Sequence, residues 1–294
     1  MVSNLESTLK LWAEPASDTE EEKCENALKM IRKAIDKSEA LSKYNIKLIP
    51  KGSYHNNTNV RLNSDVDIAV MLTDVFFADY PDGKGDKDFN NSPATYTFKQ
   101  YRNDVDQAII DLFRAENVEF GDKSIKISSN TYRVDADAVP CFEHRRYSNK
   151  GSYISGTEFI GRSSGERVKN FPVQHYENGV NKNKNTSMRY KKVVRILKRL
   201  KYKMVDDGYK LDTISSFLIE SLVWNVPNSN FNTPTLSEDV EKSLNFLINQ
   251  TSTYEGCSEW GEVSELLYLF RGFRKFTRTE ANQFLREANK YLFQ

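Results

Sequence analysis

Histidine and cysteine are both scarce, with three of each in 294 residues. Cys24, Cys141 and Cys257 are odd in number and far apart, which argues against a disulfide framework or a cysteine-built zinc site and fits a reducing cytoplasm. Long apolar runs are missing too. Stretches such as Ile68-Ala69-Val70-Met71-Leu72 fall far short of the roughly 20 residues that cross a bilayer. The start, Met1-Val2-Ser3-Asn4-Leu5-Glu6, lacks the basic-then-apolar order of a secretion signal. No charge of one sign dominates: 42 basic and 41 acidic residues leave a net charge of +1, so no global field draws the chain to nucleic acid or a membrane surface.

What is present is periodic. Ser17-Asp18-Thr19-Glu20 reads as a capping box, and Cys24, Ala27, Leu28, Ile31 and Ile35 continue it as an amphipathic helix to about Lys37. A short strand, Ile46 to Ile49, is expected to close at Pro50. Val66 to Leu72 is a nearly continuous apolar run of strand length, as a central strand requires. Residues 78–93 read as an exposed loop, Val105 to Phe113 as a helix, and Ile125–Ile127 and Tyr132–Cys141 as half-buried strands. After a polar stretch with Gly151, Gly156, Gly161 and Gly165, only helical periods remain beyond about Thr186. These include Val193 to Leu200, Ile214 to Leu222, Val240 to Leu247, Trp260 to Phe270, and a last helix capped by Thr277 with Glu280. An α/β lobe is followed by a helical lobe.

The chemistry concentrates in the first lobe. Lys51-Gly52-Ser53 precedes a polar linker that ends in Asp65-Val66-Asp67, at the mouth of the apolar strand. Residues two apart on a strand face the same way, so Asp65 and Asp67 stand side by side. Two such carboxylates repel each other unless a divalent cation lies between them, and magnesium suits hard oxygen ligands while leaving room for phosphates. Glycine lets the backbone approach a phosphate, which the Ser53 hydroxyl can also bind. Asp137, on the later strand, is the candidate third carboxylate for a two-ion site, and Asp135 is assigned a solvated or supporting place. From Arg189 to Lys203 eight basic residues occur with no acidic one. Most are expected on a solvated face, with at least one lysine turned toward a triphosphate; a nucleic-acid backbone is the competing use. The histidines fit no special role: His55 is read as a loop residue and His175 as a packing or hydrogen-bonding group.

These motifs resemble the polymerase-beta-like nucleotidyltransferases, on Lys51-Gly52-Ser53-Tyr54, Asn63-Ser64-Asp65-Val66-Asp67 and Asp137-Ala138-Val139-Pro140. More narrowly they resemble the bacterial CD-NTases, relatives of cyclic GMP–AMP synthase and oligoadenylate synthase. The E clade is indicated by Asn170-Phe171-Pro172, His175-Tyr176-Glu177-Asn178-Gly179, Ser215-Ser216-Phe217-Leu218 and Asn225-Val226-Pro227. The resemblance implies an α+β fold: a mixed-sheet palm with an N-terminal spine helix, residues 1–165, and a helical lobe, residues 166–294, closing over the active-site cleft.

It also implies an activity. Two nucleoside triphosphates, ATP and UTP in the leading assignment, are joined and cyclised into a second messenger with release of pyrophosphate, and the product activates a downstream effector in antiphage defence. Asp65, Asp67 and Asp137 would hold two Mg2+ ions, with Mn2+ as a substitute, and Asp137 would help deprotonate the acceptor hydroxyl. Gly52, Ser53, Lys198 and Ser215 would hold the triphosphate. Ser216 stands where relatives often carry a base-stacking Tyr, which leaves Tyr54 or Phe217 for that task. Asn170 before an aromatic and Pro implies uracil use, since an amide both donates and accepts; its bland alternative is a turn cap. A cytoplasmic monomer that needs neither membrane nor nucleic acid completes the expectation. Cyclic dipurine synthesis, transfer to RNA ends or a small molecule, and a catalytically silent sensor are the alternatives. Three intact carboxylates argue against the sensor, and a near-neutral surface argues against RNA.

Overall fold

The computed structural model describes residues 2–15, 18–60, 65–272 and 276–294, without the side chains of residues 2–4 and 18–21. The capping box at Ser17 and the Asn63-Ser64 part of the acidic motif therefore lie outside the described residues. In chain order the elements are α1 (Val2–Trp12), α2 (Asp18–Lys37), β1 (Ile46–Lys51), α3 (Gly52–His55), β2 (Val66–Asp79), α4 (Phe98–Phe113), β3 (Val118–Phe120), β4 (Ile125–Ile127), β5 (Ala136–Tyr147), β6 (Tyr153–Ile160), β7 (Arg167–Asn170), α5 (Pro172–Asn185), α6 (Tyr190–Asp206), α7 (Ser216–Trp224), α8 (Leu236–Gln250) and α9 (Arg278–Phe293). They form two compact units: a strand unit of residues 17–55 and 63–172, and a helical unit of residues 1–16, 56–62 and 173–294. The expected division at residue 165 placed the whole N-terminus with the strands. Here residues 1–16 join the helices, because Leu9 and Ala13 of α1 are buried in the helical core.

In the strand unit a seven-stranded mixed sheet runs β1-β2-β5-β4-β3, with β6 added to β5 and β7 to β6. Its centre is the parallel pair β2–β5. Val66, Ile68, Val70 and Leu72 of β2 are buried, as the apolar run required, and α2 and α4 lay Ile31, Ile35, Tyr101 and Ile109 into the same core. Pro50 does not end β1 but lies within it, opposite Ile68. An edge strand tolerates proline, since one of its sides has no ladder to feed. β6 and β7 escaped the sequence reading because the buried stretch of β6 includes Glu158, which hides the alternation.

The helical unit is built around α6, whose Val193, Ile196, Leu197 and Leu200 are fully buried. Thr277 and Glu280 form the expected reciprocal cap of α9. The helix expected from Trp260 to Phe270 is absent. Glu265 adopts a left-handed φ of 59° and the chain doubles back, with Leu269 N–H donating to the Trp260 carbonyl at 2.7 Å. The aromatic spacing there serves packing, with Trp260 stacked on Phe246 at 6.2 Å. Conversely α5 has no visible apolar period, because its buried residues are Gly179, Lys182 and Asn183.

β6 and β7 meet at one tight point. A Cβ on Gly156 would lie 2.6 Å from the Asn170 carbonyl and 2.8 Å from the Phe171 ring. We expect Gly156→Ala to lower the thermal unfolding midpoint by the equivalent of about 1–3 kcal/mol, as overpacking does; an unchanged midpoint would show that this corner yields freely.

Candidate active site

Parallel pairing sets Asp67 directly beside Asp137, on neighbouring strands about 4.8 Å apart. Across the other edge of β2, Lys51 is the register partner of Asp67. Gly52 follows at once, with φ +73°, and a Cβ there would overlap Asp67 Oδ2 at 2.1 Å. Only glycine can open α3 so close to this carboxylate. Ser53 and Tyr54 follow on the same single turn, both half-buried. Tyr54 packs against the core of the strand unit. That leaves the alternative stacking candidate, Phe217, which is 39% exposed beside His175, their ring centres 6.3 Å apart.

Asp65 sits exposed at the mouth of β2, and Asp135 accepts a bond from the Ser129 backbone N–H, a supporting place. Among the described residues no three His, Cys, Asp or Glu side chains already close into a metal cage. The carboxylates nonetheless act on one another. Burial, then Asp67 and Asp65, push the Asp137 carboxyl above its ordinary range. Burial raises Asp67, with Lys51 opposing and Asp65 reinforcing; burial and then Asp135 raise Asp65, with Lys126 opposing. Asp137 Oδ1 is buried and has no hydrogen-bond partner. An orphaned acceptor among mutually repelling carboxylates fits a divalent cation, whose charge would reverse each of these penalties.

Asn170 ends β7 half-buried, its carbonyl accepting from the Thr157 hydroxyl at 3.5 Å. Behind it Phe171 is buried, with the Arg146 guanidinium 4.9 Å from its ring centre and the edge of His144 5.8 Å away. His144 itself is buried between Glu158 at 2.7 Å and Asp79 at 3.3 Å, a charged pair of contacts that sequence reading missed.

In the helical unit the basic run behaves differently from the expectation. Lys191, Arg195 and Lys198 are buried rather than solvated, and Lys203 alone of the eight is exposed. Lys198 Nζ donates to Glu220 at 2.8 Å and to the Thr58 hydroxyl and carbonyl at 2.9 and 3.2 Å, so its three protons are committed internally. Ser215 caps α7, accepting from Leu218 N–H at 3.1 Å, and Ser216 lies 3.2 Å from the Tyr202 hydroxyl. Glu220 also meets His175 Nε2 at 3.1 Å. A single acid inside the apolar run from Phe217 to Trp224 was the available signal for this buried cluster.

A mixed sheet with facing aspartates on its central parallel pair, a glycine-opened turn against one of them and a separate helical unit define a polymerase-beta-like nucleotidyltransferase. Residues 177–293 match the cGAS/DncV-like nucleotidyltransferase C-terminal helical domain. The cyclic dipyrimidine nucleotide synthase CdnE of Cecembia lonarensis is 45% identical over 287 residues, covering 97% of each chain. The Rhodothermus marinus CdnE c-UMP-AMP synthase, solved with Apcpp and Upnpp, superposes with a TM-score of 0.87 at 29% identity, over 97% of this chain and 95% of that one. The Elizabethkingia meningoseptica CdnE cyclic dinucleotide synthase, solved with GTP and Apcpp, gives 0.82 at 32% identity, over 98% and 99%. The chain belongs to the CD-NTase family, as a CdnE-type nucleotidyltransferase.

Glu220 makes a pH test. Burial pushes its carboxyl up, and the Lys198 ammonium and the His175 ring more than reverse this, leaving it well below the usual carboxylate range. Its stabilisation is therefore complete above the unfolded value of about 4.3 and is lost as pH falls toward the depressed folded value. Thermal midpoints between pH 3 and 7 should show Glu220→Gln less stable at pH 7 and with a shallower acid slope than the parent; parallel curves would remove Glu220 from the balance.

Proposed function

We propose that this protein joins two nucleoside triphosphates, releasing pyrophosphate, and closes them into a cyclic dinucleotide that contains uridine. The observation that carries the reaction is Asp67 set beside Asp137 with Gly52 pressed against it. Asp65, Asp67 and Asp137 are the residues that would hold two magnesium ions, which when bound neutralise the phosphates and polarise the reacting oxygens. Manganese meets the same oxygen donors.

The chain's own groups do the rest. Gly52 and Ser53 bind the β- and γ-phosphates, the glycine because it admits a phosphate close to the backbone. Asp137 would help the acceptor 3′-hydroxyl lose its proton, the task of a general base within hydrogen-bond reach. Lys198 is the proposed cation for the triphosphate, carried by the resemblance of α6 to the helical lobe of the family. Ser215 presents the N-terminus of α7 to the same phosphates. Asn170 reads uracil with its amide. The names of the Cecembia and Rhodothermus relatives support a pyrimidine, whereas the GTP bound by the Elizabethkingia enzyme supports the alternative dipurine product. ATP and UTP are the leading substrates of a cytoplasmic monomer, and its product activates a separate effector in defence against phage.

The test is chemical. Purified protein with magnesium and all four ribonucleotides should release pyrophosphate and yield a phosphatase-resistant product whose mass includes uridine. Asp67→Asn or Asp137→Asn should cut turnover by about a hundredfold or more, since a lost metal ligand removes several kcal/mol of transition-state stabilisation. Asn170→Ala should weaken the preference for UTP over purines by about tenfold. Undiminished turnover in the aspartate variants would overturn the metal assignment, and unaltered base choice would overturn the role of Asn170.

A further inference from the structure

The helical unit contains a cavity that the proposed reaction does not use. Its volume is about 430 Å³, within the range of small-molecule sites. It lies between the C-terminal half of α5, the segment that follows α7 and the turn that carries Glu265. Two asparagines from the sequence motifs build its wall. Asn178 Nδ2 donates to the Val263 carbonyl at 2.9 Å, and Asn225 Nδ2 donates to the Gly261 carbonyl, also at 2.9 Å. These bonds tie residues 261–265 to α5 and to the end of α7, and the turn brings Glu265 to the cavity. Glutamate is a costly choice for the φ of 59° found there, which glycine or asparagine adopts more readily.

The other charge on the cavity is Lys182, which is 9% exposed. Its Nζ donates to the Val226 carbonyl at 2.8 Å and to Asn228 Oδ1 at 3.0 Å. The ring centres of Trp224 and Phe231 lie 5.2 and 5.7 Å away. An ammonium has three protons, so one remains to be donated. Burial pulls the lysine down to about 8, and Glu265 opposes that pull without forming an ion pair with it. A buried ammonium met only by neutral oxygens and ring faces still lacks a counter-charge. Asn181 and Asn185 share the Asn178–Lys182 face of α5. They are exposed, and their amides have no hydrogen-bond partner among the described residues.

These groups sort ligands by charge. A simple anion gains from Lys182 and is repelled by Glu265, and a simple cation meets the reverse. A molecule with a charge of each sign satisfies both, and asparagine amides can donate to its carboxylate and accept from its ammonium. We propose that this cavity binds a small zwitterion of the amino-acid class, its carboxylate on Lys182 and the asparagine amides and its ammonium on Glu265. The side chain of the ligand has room beside Trp224 and Pro227. The inference stands apart from the assignment of the aspartates and of the nucleotide.

Calorimetric titration of the full chain with each of the common α-amino acids, without nucleotide or metal, tests it. At least one should bind with a Kd below about 1 mM. Its carboxamide and its N-acetyl derivative should each bind about tenfold more weakly or worse, since each loses one charge-assisted contact. Glu265→Gln should weaken the parent ligand by a similar factor, and Lys182→Met should abolish binding. Lys182→Met also removes the bond to Val226, so Glu265→Gln, on the exposed turn, decides the matter if the lysine variant does not fold. Asp67→Asn should bind the amino acid as the parent does, and magnesium with ATP and UTP should not displace it. Absence of binding by every amino acid at about 10 mM would overturn the proposal. So would equal binding of the two blocked derivatives, binding undiminished in Glu265→Gln, displacement by nucleotide, or binding of inorganic phosphate in place of any amino acid.

Discussion

Two carboxylates held against each other by parallel strand pairing are the constraint on which the strand unit turns. Asp67 and Asp137 are register partners, and β-sheet hydrogen bonding leaves neither free to retreat. Left alone, burial raises the proton affinity of both, Asp65 adds to it at each and Asp67 at Asp137, and one buried oxygen of Asp137 is stranded. A fold that evolved for stability alone would place apolar residues there. The repulsion is stored for a ligand of opposite charge, as functional sites characteristically store it.

The surroundings keep that pair in place from several directions. Gly52 yields its side chain to Asp67 Oδ2, and Lys51 offers the opposing charge. On the far side of the same sheet β5 continues into His144, which is buried between Glu158 and Asp79. Arg167 and Lys169 satisfy the outer oxygens of those acids at 2.6 Å each. The strand that carries the candidate aspartate Asp137 is thus locked at both ends, by apolar packing around Ala138 and by ionic bonding around His144. Rigidity of this kind is what a reaction dependent on positioning requires.

Much of this was legible in the sequence. The alternation around Asp65 and Asp67, the apolar run behind them, and the glycine before them each reflect a local rule. So does Asp137, on a strand whose neighbours are small and apolar. The reading failed where burial was polar. Glu158 in β6 and Lys182 and Asn183 in α5 occupy inward positions that periodicity assigns to water, so the strand and the helix went unseen. Arg195 and Lys198 looked like a solvated stripe because their partners, the Ala13 and Asn57 carbonyls for one and Thr58 and Glu220 for the other, lie far away in sequence. Distant charge pairing leaves no trace in spacing. At Trp260 to Phe270 the error ran the other way: aromatic residues that pack on one side of a doubled-back loop imitate a helical period.

The interleaving of the two units bears on how the molecule is made. Residues 17–172 supply every strand of the sheet, so on the ribosome the sheet has all its parts while the last five helices, α5 to α9, are still to be made. The core of the helical unit joins Leu9 and Ala13 at one end of the chain to Phe284, Leu285 and Ala288 at the other. That core cannot close until residues 284–288 have been made, well after the last strand of the sheet.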